Sequence, residues 1–158
     1  FNGTPSSTSM VFDHNSFSLG WLSVGLSKEG KKTGFETNIA FGPRSHQFYG
    51  GGDTPLSFIR DFYLYWNITS KLKATAGITQ PFIGYEADEP HENINYSGSY
   101  AYSFLPPASL AGLQFEYALD ESWTLLAGAY NASTVLIDSD NSKHIGGQVI
   151  YSKGKASS

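Results

Sequence analysis

Residues 58–79 read FIRDFYLYWNI, then TS, then KLKATAGIT. Side chains of an extended chain alternate between two faces, so the first segment sends Phe58, Phe62, Leu64, Trp66 and Ile68 one way. Asp61, Tyr63, Tyr65 and Asn67 go the other way. Arg60 shares the parity of the apolar row, near one end, where a long side chain can snorkel to water. After Thr69-Ser70 the pattern resumes, with Leu72, Ala74, Ala76 and Ile78 opposing Lys71, Lys73, Thr75 and Thr79. Two half-apolar strands joined by two polar residues predict an antiparallel hairpin.

The same period extends in both directions. Phe35, Thr37, Ile39 and Phe41 oppose Glu36, Asn38 and Ala40. Leu113–Tyr117 sets Leu113, Phe115 and Tyr117 against Gln114 and Glu116, and Trp123–Tyr130 and His144–Tyr151 follow, the last with Gln148 opposite Ile145, Val149 and Tyr151. Ser16–Ser27 alternates less cleanly, since Leu22, Val24 and Leu26 oppose Phe17, Leu19 and Trp21, and Met10–Phe12 reads as a further short strand. Residues 1–15 read as a flexible lead-in. The expectation is an all-β antiparallel fold, one domain over 1–158 with about seven to eight strands. No window shows helical periodicity.

The connections decide what kind of β fold this is. Ser27–Gly34 is short and Gly42–Ser57 long; Thr69-Ser70 is tight and Gln80–Gly112 very long; Leu119–Ser122 is tight and Asn131–Lys143 long. Alternating short and long connections segregate loop length by rim, as in a barrel that crosses a membrane with short periplasmic turns and long extracellular loops. A soluble barrel has no general reason to do this. The reading is therefore a transmembrane β-barrel of the bacterial outer-membrane type. Its periplasmic rim carries 27–34, 69–70 and 119–122, and the 80–112 loop lies on the extracellular rim, where it can constrict the lumen. Seven or eight strands of this length do not make a wide pore, so the chain is expected to form part of a larger barrel.

Composition agrees. Charged residues make up 15% of the chain and aromatics 15%, with 17 Gly, whereas soluble domains carry about a quarter charged residues. Net charge is −4 and gives no basic footprint for nucleic acid. There is no Cys for disulfide or thiolate metal chemistry. No apolar run approaches the ~20 residues of a spanning helix. Trp21, Phe35, Phe41, Phe62, Trp66, Trp123 and Tyr151 lie on apolar faces, several near strand ends, as interfacial girdles require.

The candidate lumen-lining residues are Glu36, Asn38, Asp61, Tyr63, Tyr65, Lys73, Gln114, Glu116 and Gln148. Glu86, Asp88, Glu89, His91 and Glu92 crowd the long loop with no neighbouring Lys or Arg in sequence, which predicts a cation-attracting loop. Their spacing matches no calcium loop, and no metal or cofactor is expected. Residues 25–33 (GLSKEGKKT) approach a phosphate-binding loop, but Lys32 stands where Ser or Thr would hold magnesium, so a basic hairpin turn is the better reading. None of His14, His46, His91 and His144 sits in a recognisable hydrolase motif, so no catalysis is expected.

The stretch from about Phe58 to Ala132 also resembles a known family. Residues 76–86 (AGITQPFIGYE) are followed by 93–99 (NINYSGS), then by Pro106-Pro107, Gly112, Tyr117, Asp120 and 128–131 (GAYN). This ordered series resembles the second type of putative β-barrel porins, the bbp2 or porin-like outer-membrane proteins. The chain departs at Gly98, where an Arg is expected between the two serines, so selectivity resting on that Arg does not carry over. The resemblance implies a porin-like channel passing small hydrophilic solutes or ions. It also implies contact with outer-membrane lipid and lipopolysaccharide, a homo-oligomer or larger membrane complex, and no catalytic residue. Two alternatives remain open from the residues alone: a non-conducting barrel serving as anchor, adhesin or accessory subunit, and a soluble ligand-binding barrel.

Overall fold

The computed structural model describes residues 19–49, 58–89, 92–94, 99, 101–102, 109–131 and 142–152. The lead-in, the short strand expected at 10–12, and Gly98 lie outside them. Seven strands form one sheet: β1 (Leu22–Lys28), β2 (Thr33–Phe41), β3 (Ile59–Asn67), β4 (Leu72–Thr79), β5 (Leu110–Ala118), β6 (Trp123–Tyr130) and β7 (His144–Tyr151). Strand order in the sheet is chain order. Every neighbouring pair is antiparallel. Among the described residues β1 and β7 form the two edges and do not pair with each other.

The tight turns are held by their own polar side chains. Thr69 Oγ1 accepts from the Leu72 amide at 3.0 Å, and Asp120 Oδ1 accepts from the Ser122 and Trp123 amides at 2.7 and 2.9 Å. Short polar side chains at these positions satisfy backbone donors that the ladder leaves over.

Register carries the alternation across the sheet. Phe35 pairs Leu64, Leu64 pairs Ala76, and Ala76 pairs Leu113, one apolar row crossing four strands. The neighbouring row runs Glu36, Tyr63, Gly77, Gly112 and Tyr130. The apolar face is the exposed one: Leu64 is 57% exposed and Trp66 54%. The polar face is the sheltered one, with Asp61 at 4% and Thr75 also buried. Among the described residues, buried apolar side chains are few: Ala40, Leu110, Leu126 and Tyr130.

The polar face is concave. The segment from Phe82 to Glu89 is bonded to β7 at one end, where Gln148 Nε2 donates to the Phe82 carbonyl at 3.1 Å. At the other end Ser23 Oγ of β1 donates to Glu89 Oε1 at 3.3 Å. One segment, bent at Gly84 with φ +103°, thus touches both edge strands across the polar face. Glycine permits that curvature at Gly77, whose φ is +135° and whose hypothetical Cβ would lie 2.8 Å from Tyr63 Cα.

Several expectations change. The connection 42–57 begins with a helix, α1 (Pro43–Tyr49), where no helix was expected. Two turns are too short to show a period, but Pro43 pre-sets the first helical φ, and Ser45 Oγ donates to the Ala40 carbonyl at 2.8 Å to tie the helix to β2. The strand expected from Leu113 begins at Leu110, so the loop expected over 80–112 ends at Ser109. The strand expected over 16–27 is described only as Leu22–Lys28. Trp21 does not belong to an outer girdle: it packs on Tyr49 of α1 with ring centroids 6.2 Å apart.

Candidate functional site: the concave polar face

The site is built from the inward rows of β2 to β5 and the loop that follows β4. Asn38 and Asp61 are paired across β2 and β3, and Asn38 Nδ2 donates to Asp61 Oδ1 at 2.7 Å. Tyr63 donates its hydroxyl to Glu36 Oε2 at 2.6 Å. Lys73 pairs Glu116 across β4 and β5, with Nζ and Oε1 2.8 Å apart. Both stay partly exposed, so the pair is worth only about 0.2–1 kcal/mol. Tyr130 donates to Gln114 Oε1 at 3.0 Å. Of these side chains, all but Asn38 and Tyr130 line a cavity of about 410 Å³ to which Glu36, Asp61, Glu92 and Glu116 bring carboxylates, against two cations, Arg60 and Lys73.

All nine candidate lumen residues fall on this face by register. Tyr65 sits opposite Thr75 toward the short-turn rim, and Gln148 holds the loop rather than lining open space. The acidic loop behaves differently from its sequence reading. Asp88 and Glu89 are met by Arg60: Nε and NH2 bond Asp88 at 2.8 Å each, and NH1 bonds Glu89 at 2.9 Å. Asp88 is only 3% exposed. Glu86 instead accepts from the amide and hydroxyl of Ser99. Glu92 reaches the cavity, and His91 lies outside the described residues.

Arg60 is the residue that sequence reasoning misplaced. Asn38 pairs Asp61 and Ile39 pairs Ile59, so the register slips by one and Arg60 is the extra residue of a bulge. The bulge turns Arg60 inward beside Asp61, and Ile59 continues the outward row, with Phe58 packed on Phe41 beyond it. Tyr49 completes the cluster, donating its hydroxyl to Asp88, while Gln80 Nε2 donates to the Arg60 carbonyl at 3.1 Å. Burial first, and the neighbouring Asp88 charge second, push the Tyr49 phenol well above its ordinary range. No group of three or more His, Cys, Asp or Glu among the described residues has metal-binding geometry.

An antiparallel meander with an exposed apolar face and a sheltered polar one defines the class of β-barrel wall segments. The chain belongs to the family described as "Putative beta-barrel porin-2, OmpL-like", whose model matches residues 1–158. The match covers the whole chain, beyond the stretch 58–132 that carried the resemblance. No curated protein and no solved structure matches the chain.

Proposed function

We propose that this chain forms part of the wall of a bacterial outer-membrane channel through which small hydrophilic solutes or ions diffuse passively. The observation that carries the reading is the inverted polarity of the sheet. Leu22, Val24 and Leu26 in β1, Phe62, Leu64 and Trp66 in β3, and Ile145, Val149 and Tyr151 in β7 are all exposed, while Asp61, Thr75 and Thr79 are buried. Such a face fits lipid hydrocarbon, and Trp66, Tyr117, Trp123 and Tyr151 near one rim fit the headgroup level. It argues against the soluble ligand-binding barrel, whose apolar face would be inside.

The inward residues other than Gln148 line the path in this reading, and the carboxylate excess around the cavity favours cations. The short turns lie on the periplasmic rim. Unpaired strand edges are not tolerated in hydrocarbon, so further strands, from the same polypeptide or another copy, complete the barrel beside β1 and β7. The test is planar-bilayer conductance of the detergent-purified protein. Stable open steps with cation preference support the reading. Silence from a correctly folded barrel sinks it in favour of a non-conducting anchor or accessory subunit, a role favoured by the loop lying across the concave face.

A further inference from the structure

We infer that Arg60 is a positioning residue that straps residues 82–89 across the concave face and thereby sets the size limit of the passage. The inference rests on the transport reading above. The strap leaves β4 at the long-loop rim and crosses the sheet from one edge to the other, bonded to Gln148 of β7 at Phe82 and to Ser23 of β1 at Glu89. A chain so placed occupies the middle of the lumen side. The Phe82 ring packs on Tyr130 at 6.0 Å, a contact that seats the β7 end of the strap on the inward face.

The other end is held by charge. There the planar guanidinium grips two consecutive carboxylates, Asp88 through two nitrogens and Glu89 through the third. Forked recognition of this kind fixes orientation as well as distance, which a point charge does not. The bulge in β3 falls at Arg60 and turns this side chain inward. Arg60 also sets the electrostatics of the strap, because it offsets two acidic charges that would otherwise face the permeating solution. Its loss both loosens the strap and uncovers carboxylate charge, so the passage widens and becomes more cation-preferring together.

The experiment compares the whole protein with Arg60→Gln, Arg60→Lys and the double variant Arg60→Gln/Asp88→Asn, which leaves no carboxylate at 88 without its guanidinium. Hydrogen exchange of residues 82–89 is read alongside single-channel conductance in potassium chloride. Arg60→Gln is expected to expose the strap amides to exchange while strand amides stay protected, and to enlarge the open step about twofold or more, with a stronger preference for potassium. The double variant should show the larger step without the added preference, and Arg60→Lys an intermediate step. Unchanged strap exchange, or an unchanged step in a conducting protein, overturns the inference. If wild type and variants are all silent, the transport reading fails and the size-limiting role with it. Freed strap exchange in that case would show that the failure lies in transport and not in the strap.

Discussion

Leu64 and Tyr63 are neighbours in β3 and live in opposite surroundings. Leu64 belongs to an apolar row open to the outside, while Tyr63 donates a hydrogen bond to Glu36 on the concave side. A soluble sheet hides its leucines and wets its carboxylates. Here hydrogen-bonded polar groups are sheltered and apolar side chains are bare, so the energetic roles of the two faces are exchanged. Outward side chains gain from contact with hydrocarbon. Inward ones gain from partners, because a sheltered polar group without one is costly.

Four tests probe that contrast. The largest effect is expected inward. Asp88→Ala removes one partner of a sheltered ion pair and should cost about 3–5 kcal/mol in guanidinium unfolding from lipid vesicles. A cost near zero would mean that the concave network contributes nothing to the fold. Leu64→Arg puts a charge on the outward face and should cost about 2–4 kcal/mol if that face meets the bilayer interior. Gln114→Arg, on the inward face of β5 where it lines the cavity, should cost much less. Equal costs at the two sites would erase the distinction between the faces.

Breaking the Lys73–Glu116 pair is a milder test. A double-mutant cycle with alanine at both positions should return a coupling of about 0.2–1 kcal/mol that falls with added salt, as for a pair in contact with water. A coupling of several kcal/mol would mean a dry interior. The smallest effect is expected from alkali. The Tyr49 phenol is raised in the folded chain, chiefly by burial, so its neutral form stabilises the fold. That contribution is complete below the ordinary tyrosine range near about 10 and is lost as pH climbs above it. Strap amides should therefore exchange faster above that pH while strands stay protected, and Tyr49→Phe should remove the step.

Much of this was legible in the sequence because period-two alternation is strong from Phe35 to Phe41 and from Phe58 to Thr79. Thr69, Ser70 and Asp120 marked the tight turns by side chains that can cap a backbone. Face membership of Glu36, Asp61, Lys73 and Gln148 followed directly from that alternation. Arg60 did not follow from it, because a bulge is a pairing event between two strands and strict alternation assumes that none occurs. The signal was present, since Arg60 was the one charge on an otherwise apolar row and stood beside Asp61. The same slip hid the acidic loop's partner: Arg60 and Asp88 lie 28 positions apart in sequence, and the loop after β4 folds back to bring them together. α1 was hidden by its shortness, and Trp21 by its place just before β1, where parity sends it inward to Tyr49.

The most direct test of the two-faced sheet uses the absence of cysteine from the sequence. Single cysteines introduced at 63, 65 and 67 and at 62, 64 and 66, in protein reconstituted into lipid vesicles, can be probed with a water-soluble thiol reagent. The inward set should react and the outward set should not, whereas a fluorescent label on the outward set should be quenched by brominated acyl chains. Labelling without alternation, or quenching of the inward set, would contradict the account.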